Sequence, residues 1–361
     1  MKRSYNWRIT KNPTKRVSSE LPERTSERLG RIVRVLSGHA MMVVSGTKMA
    51  KEIGASRSDV WRLVQQLRSL GVRVAGHPMV GYRLEAVPDL LLPEGLDPLV
   101  KGTIFSGRIH HYFRAGSTNA LAMQAGEAGE AEGTVFFAEE QTAGRGRGGN
   151  EWHSARSAGL CVSIVLRPSM PPAEVLSLSL MAGLAVSAAV EAVTRLKPDL
   201  RWPNDLLLSR AAYTPEGGCT AEERKFCGIL TELRAEVTRV HFAVVGIGIN
   251  VNQRSFPREL AESATSLRLE SGQDWSRVEL AAALLQSFDR EYRRLAAPEG
   301  CQSLFARFEE ASSFARGRRV HVEEEGGYTG ITEGLDDRGF LRVRTAEGRL
   351  RTVISGGVRG I

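Results

Sequence analysis

Residues 141–152 read QTAGRGRGGNEW, with four glycines and two arginines in one short stretch. Glycine lets the backbone take positive φ and approach a ligand closely, so its amide N–H groups can face an anion. Arg145 and Arg147 add forked, charged donors suited to phosphate or carboxylate. The stretch lacks the GxxxxGK[ST] spacing of a P-loop, and its GxGxxG spacing does not sit within a dinucleotide-binding unit. It is expected to be an anion cradle on a loop that is mobile when empty and closes over its ligand.

Four further marks carry polar chemistry. In HHYFRAGSTNALAMQ an alternating strand runs into Ser117, Thr118 and Asn119, where a helix begins. Such side chains either cap the helix or hydrogen-bond an uncharged polar ligand head, and both readings stay open on these residues alone. RWPNDLLL places Asn204 and Asp205 after a proline, at the start of a strand. KFCGILTEL sets Lys225 ahead of a strand with Gly228 inside it. VVGIGINVN runs a buried strand into Gly246, Gly248 and Asn250, where missing side chains leave room for a flat ligand or another backbone.

The elements between these marks must position them. GTVFFAEE and SAGLCVSIVLRP read as buried strands. AEVLSLSLMAGLAVSAAVEAV reads as a long helix whose Leu176, Leu180, Leu184 and Val190 belong to a core. SRAAYTPEGGCTAEER is longer than its connection needs and is expected to be a polar surface excursion.

Charge concentrates at the front. The chain has 361 residues and net charge +8; residues 1–85 carry 17 Lys and Arg against 6 Asp and Glu, leaving 32 against 35 afterwards. Residues 1–28 are polar, basic and without apolar periodicity, as in a disordered arm. From Leu29 to Glu85 the pattern is helix, helix, turn, helix and hairpin. Met49, Ile53, Val60, Leu63, Val64 and Leu67 share one apolar side, and Ala50, Gly54 and Val60 fall where a helix-turn-helix needs a small residue, a turn glycine and a buried anchor. Ser56 and Asp59 make a capping-box-like start for the second helix, which leaves Arg57, Ser58 and Arg62 on its solvent side; these three with Ser56 are the DNA-contact candidates. VRVAGHPMVGYRLE reads as the wing, and VPDLLLPEGLDP as a proline-punctuated linker.

The order STN, GRGRGG…W, WPND, KxxGIL.E, GIGINVN resembles the biotin protein ligases, and the helix-turn-helix in front resembles their bifunctional members, which also repress biotin synthesis. The resemblance covers about residues 29–361. It implies an α+β chain: a winged helix-turn-helix over 29–86, a linker over 87–100, a central mixed-sheet ligase domain of class II synthetase type over 101–312, and an SH3-like β-barrel over 313–361, where the sequence shows short alternating strands between glycine turns.

It also implies the reaction. Biotin and MgATP give biotinyl-5′-adenylate and pyrophosphate, and a carrier-domain lysine of a carboxylase, such as acetyl-CoA carboxylase, then takes the biotinyl group. The implied catalytic residues are Lys225, Arg147 and Asp205. Biotin would lie against Ser117, Thr118, Asn119, Gln141, Gly144, Arg145, Arg147, Lys225 and Gly228, with Ser117, Thr118 and Gln141 on its ureido head. ATP and the adenylate would meet Arg145, Arg147, Trp152, Asn204, Lys225 and Asn250. No side-chain cluster suggests a resident metal; Asp205 either orients Lys225 or assists Mg²⁺. The family further implies operator DNA as a partner and a homodimer formed on adenylate binding. Three departures from its pattern stand out: Asn150 where a third loop arginine is usual, Arg201 where lysine commonly precedes WPND, and Cys227 at a place usually given to glycine or alanine.

Composition narrows the setting. No apolar run approaches the roughly 18 residues of a membrane span, so no membrane partner and a cytoplasmic location are expected. Cys161, Cys219, Cys227 and Cys301 form no CxxC pair and read as reduced packing residues. Three rival readings are a lipoate-type ligase, a regulator that senses a ligand without catalysis, and a ligase whose helix-turn-helix no longer acts on DNA.

Overall fold

The computed structural model describes residues 23–39, 42–86, 89–213, 219–324, 326–354 and 356–361. Its first unit is α1 (Glu23–Ser37), α2 (Gly46–Ile53), α3 (Arg57–Ser69) and the hairpin β1 (Val74–His77) and β2 (Gly81–Leu84). Leu29, Ile32, Val33 and Leu36, spaced three and four apart, bury one stripe of α1. That helix begins at Glu23, so the expected arm over 1–28 is too long; residues 1–22 lie outside the described residues.

Gly54 closes α2 at φ 61°, donating its N–H to the carbonyls of Ala50 and Lys51. Ser56 and Asp59 then form the reciprocal capping box that starts α3. Two arginines of α3 fix the wing: Arg57 Nη2 donates to the Pro78 carbonyl at 2.8 Å, and Arg68 donates to Val74 O at 2.9 Å and Gly76 O at 2.8 Å.

The stretch expected as a linker is packed instead. Leu90 and Leu92 join the core of the helix-turn-helix together with Phe113, while Leu91, Leu96 and Val100 enter the core of the following domain. A short helix, α4 (Pro93–Leu96), lies between them. Five buried aliphatic side chains in eleven residues leave no room for an open tether.

The central domain is built on β3 (Ile109–Tyr112), α5 (Thr118–Glu127), β4 (Val135–Ala138), β5 (Gly159–Leu166), α6 (Leu176–Thr194), β6 (Asp199–Arg201), β7 (Asp205–Tyr213), β8 (Cys219–Ala235) and β9 (Val240–Asn250). Its seven strands lie in the order β3-β4-β5-β9-β8-β7-β6, with β3 and β4 parallel and every other pair antiparallel. The helices α7 (Leu267–Ser271), α8 (Arg277–Leu295) and α9 (Gly300–Glu310) follow. One sheet face packs on α6 and α8; the other carries α5 over Phe136, Val165, Phe242 and Val244.

Two expectations change here. Residues 172–194 are long and apolar enough to cross a membrane by length and composition, contrary to the reading that no run approaches a span. In this fold that helix is buried between sheet, α8 and α9, with Leu180 and Val190 fully inside and Leu176 and Leu184 at its margin. The stretch expected as a surface excursion is mostly strand: β7 and β8 pair from Asp205↔Gly228 out to Tyr213↔Cys219, and only 214–218 fall outside the described residues.

The chain ends in β10 (Arg316–Val322), β11 (Tyr328–Leu335), β12 (Leu341–Thr345), β13 (Leu350–Val353) and β14 (Val358–Gly360), an antiparallel sheet in the order β13-β12-β11-β10-β14. It is attached to the central domain through Arg318, paired with Glu223 at 2.9 Å, and through the Trp202 indole N–H, which donates to Gly339 O at 3.0 Å.

Candidate active site

Sheet register builds the floor of the site. Cys161 pairs with Gly248, Gly248 with Gly228, and Gly228 with Asp205, so four strands contribute one row on the same face. The next row is Ser163, Gly246 and Leu230. Glycine at three of these places removes the side chains that would fill the space. The sequence pointed to a flat ligand or another backbone in this room; side chains of the protein itself stand over two of the glycines. A Cβ on Gly248 would stand 2.4 Å from the Trp152 indole, and one on Gly246 1.9 Å from Asn119 Oδ1. Gly248→Ala is therefore expected to push the indole off the floor and cost about 1–3 kcal/mol as overpacking; urea unfolding and tryptophan emission check this.

Lys225 reaches the same face through a bulge. Leu206 pairs with Cys227 but the next residue, Leu207, pairs with Lys225, so Phe226 is the extra residue on β8. Lys225 thus lies inside a strand, not ahead of it as expected, and its backbone also bonds Ser263 O and Thr265 N. Its Nζ sits 2.6 Å from Asp205 Oδ1, and the other Asp205 oxygen accepts from Arg201 Nη2 at 2.6 Å. Burial opposes ionisation of Asp205, but the Lys225 and Arg201 charges outweigh it and hold the carboxyl below its ordinary value.

The glycine loop is a small hairpin. Trp152 N donates to Gly144 O, Arg145 pairs with Glu151, and Gly146 N donates to Asn150 O. Gly148 and Gly149, at φ 63° and 81°, make the turn at its tip. Asn150, the departure from the family pattern, donates its amide to Arg147 O at 2.9 Å and so closes that turn. The hairpin stands over the floor: Arg147 Nη1 donates to Asn204 Oδ1 at 3.0 Å, and Arg145 Nη2 to Glu232 Oε2 at 3.0 Å. Burial pulls the Arg147 guanidinium below its ordinary value, with Asp205 opposing.

On the opposite wall Ser117 is the N-cap of α5 but makes no side-chain cap bond. Thr118 donates through its backbone N–H and hydroxyl to Gln141 Oε1, at 2.7 and 3.1 Å. Ser163, buried on β5, donates toward both Thr118 Oγ1 and Asn119 Oδ1. Asn119 is fully committed, since its amide donates to Glu232 Oε2 at 2.7 Å and Leu230 O at 3.3 Å.

These residues line a narrow cavity of about 50 Å³ that includes Ser117, Thr118, Asn119, Gln141, Arg145 and Arg147, with Lys225 and Gly228. It opens toward a second cavity of about 920 Å³ that shares Gln141, Trp152 and Lys225 and adds Gly144, Arg201, Asp205, Asn250 and Arg359. Asn250 borders that cavity, but its side chain bonds Thr265 O and Gln253, so its amide is spent on the fold rather than offered to a ligand. Among the described residues, no group of three or more His, Cys, Asp or Glu comes together to hold a metal. Cys161 and Cys227 are buried, and burial pushes both thiols up, away from nucleophilic use.

Sequence reasoning missed Ser163 and Arg359, and it gave Glu232, the last residue of the KxxGIL.E motif, no role. Glu232 stands in the motif segment KFCGILTEL, four residues after Gly228 and so on its side of β8; Ser163 is a lone polar residue in an apolar strand; Arg359 gave no local signal.

The DNA-contact candidates are all exposed. All four are engaged: Ser56 in the cap, Ser58 with the Ser56 hydroxyl, Arg57 with the wing, and Arg62 with Asp59. Trp61, 47% exposed on the same side of α3, was overlooked although its spacing from Arg57 and Ser58 placed it there.

Comparison with known proteins agrees with this arrangement. Residues 114–250 match the biotin/lipoate A/B protein ligase family, residues 316–358 the biotin protein ligase C-terminal domain, and residues 28–83 an HTH domain. The bifunctional ligase/repressor BirA of Bacillus spizizenii is 33% identical over 322 residues, 88% of this chain and 94% of the relative. BirA of Escherichia coli is 29% identical over 82% of this chain and 87% of its own length. A biotin protein ligase from Aquifex aeolicus, solved with biotin and ATP, is 30% identical, covers 70% of this chain and 98% of its own, and superposes with a TM-score of 0.57. The chain belongs to the bifunctional ligase/repressor branch of the biotin protein ligases.

Proposed function

We propose that this protein activates biotin with MgATP to biotinyl-5′-adenylate, passes the biotinyl group to a carrier lysine of a biotin-dependent carboxylase, and uses the adenylate as corepressor. The observation that carries the reading is the glycine floor with Lys225, Arg147 and Arg145 converging on it. Adenylation needs no enzyme nucleophile, because the biotin carboxylate itself attacks the α-phosphorus and expels pyrophosphate. The protein must bring two anions together and stabilise the charge that builds between them.

Of the three cations, Arg147 alone has no carboxylate within ion-pair distance among the described residues, which favours it as the receptor of the reacting anions. Asp205 neutralises and aims Lys225, and with both its oxygens on cations this supports the orienting role over contact with Mg²⁺, which arrives as MgATP. Ser117, Thr118 and Gln141 form the uncharged polar end of the narrow cavity, matched to the ureido head, with buried Ser163 behind Thr118. The large cavity with Arg201 and Arg359 takes the nucleotide. In the second half-reaction the carrier lysine attacks the acyl carbon, forming the amide and releasing AMP.

Pyrophosphate release with biotin and MgATP, and none with lipoate, is the expected result; release with lipoate alone transfers the reading to the lipoate-type ligases. The cavity of about 50 Å³ has room for a few waters only, which favours a hairpin that lifts to admit biotin and returns over the adenylate, shielding a hydrolysable mixed anhydride. Trypsin cleavage after Arg145 and Arg147 is accordingly expected to fall when both substrates are present. Equal cleavage with and without them would mean that the hairpin is not a lid.

On the DNA side, a single recognition helix reads few base pairs, so operator binding calls for a dimer on a two-fold site, formed in the cytoplasm as adenylate accumulates. Gel shifts of the promoter upstream of the biotin genes should tighten with biotin plus ATP and weaken steeply with salt. No response to the two substrates would leave a ligase with an idle helix-turn-helix.

A further inference from the structure

Glu232 is where the two walls of the narrow cavity meet. Its Oε2 accepts from Asn119 Nδ2 at 2.7 Å and from Arg145 Nη2 at 3.0 Å. Asn119 belongs to the start of α5, and Arg145 to the glycine hairpin that, on the ligase reading, lifts for biotin to enter. Glu232 itself is on rigid β8, paired with Val244 of β9. Asn119 cannot turn away, because Ser163 holds its oxygen and Gly246 lies beneath it. One carboxylate oxygen on a fixed strand therefore joins a fixed amide to the charged group of a movable hairpin.

The balance of charges supports a role in closure rather than in the reaction. Arg147 faces neutral Asn204 and keeps its charge for an anion, whereas Arg145 spends its charge on Glu232. The Arg145 side chain is 46% exposed and Glu232 28%, so the pair is screened enough to open and strong enough to bias the hairpin.

We propose that Glu232 is a positioning residue that acts through Arg145: it latches the glycine hairpin to the wall of the biotin cavity and so sets how long the adenylate is retained. The proposal rests on the ligase reading. Its partner is the hairpin of the same chain, and its effect is on residence of the adenylate rather than on the bond-making step.

The test measures release of biotinyl-5′-adenylate from the full chain after one turnover, without carrier and with pyrophosphatase present. Glu232→Gln keeps an acceptor for Asn119 but removes the charge facing Arg145, and is expected to speed release about two- to fivefold, the scale of one partly exposed ion pair. Glu232→Ala should release faster still. A cycle with Arg145→Ala should show coupling: once Arg145 is gone, Glu232→Gln adds nothing further. Glu232→Asp, which keeps a carboxylate facing Arg145 and Asn119, should recover slow release in part, which a merely structural role would not do. Unchanged release in Glu232→Gln, or additive effects in the cycle, overturns the latch. If the unaltered protein forms no adenylate, it is the ligase reading that falls.

Discussion

Lys225→Ala is expected to slow formation of biotinyl-5′-adenylate about a hundredfold or more, the scale of losing one preorganised charge contact in a water-poor site. The bulge at Phe226 turns the Lys225 ammonium onto the glycine floor, where it stands 2.6 Å from Asp205 and 5.9 Å from the centre of the Trp152 ring. There it borders both cavities and can meet biotin carboxylate and α-phosphate at once. Its removal does a second thing: Asp205 keeps only Arg201 as a close partner, so an anion faces the reacting anions with less compensation. Pyrophosphate release in single turnover measures the rate, and a near-normal value removes Lys225 from the chemistry. Lys225→Arg is expected to recover little, because a planar fork does not replace a compact ammonium at this spacing.

The second large effect is on stability. Arg277→Met is expected to cost about 3–5 kcal/mol, because it leaves a buried carboxylate without its cation. Arg277 and Glu139 are each 1% exposed and bond at 2.7 Å; Arg277 also donates to Gly159 O and to Asp89. Glu139 in turn accepts from Leu91 N at 3.0 Å and faces His111. The cluster fastens the segment entering the central domain to the strand that leads into Gln141.

Burial opposes ionisation of Glu139, but Arg277 and the hydrogen bonds outweigh it and bring the carboxyl from 4.5 down to about 2. A folded value below the unfolded one means the contribution is fully present above about pH 4.5 and fades as pH falls through that value toward 2. The gap in urea midpoint between the unaltered protein and Glu139→Gln should therefore be large at pH 7 and narrow near pH 3. A gap independent of pH would show that the pair contributes through packing alone.

The helix-turn-helix was almost fully legible in the sequence, because each of its signals acts over a few residues. Gly54 at φ 61°, the Ser56–Asp59 box and the apolar stripe of α3 are local solutions to local problems. The linker was not legible. Proline and acidic punctuation at 88–98 resembles a tether, but Leu90, Leu91, Leu92, Leu96 and Val100 find partners far away in the chain. The roles of the site glycines were half legible: their type announced close approach, while only the fold shows that Asn119 and Trp152 are what approaches.

By itself the sequence determined which chemical groups the protein owns and in what order: the hydroxyls and amide of STN, the arginines of the glycine loop, Asn204 and Asp205, Lys225, and the glycines of β8 and β9. Residue type and short spacing suffice for that, as they do for caps, turns and the period of a helix. Tertiary structure alone decided which of these groups face each other. In a regular strand Lys225 and Gly228, three residues apart, point to opposite faces; one extra residue at Phe226 reverses this and delivers the ammonium to Asp205. Register across four strands, not sequence spacing, aligns Cys161, Gly248, Gly228 and Asp205. Arg145 and Glu232, Arg147 and Asn204, and Arg359 and the other residues of the larger cavity are separated by long stretches of chain. Their pairing depends on the energy of the whole packed sheet, which no local pattern encodes.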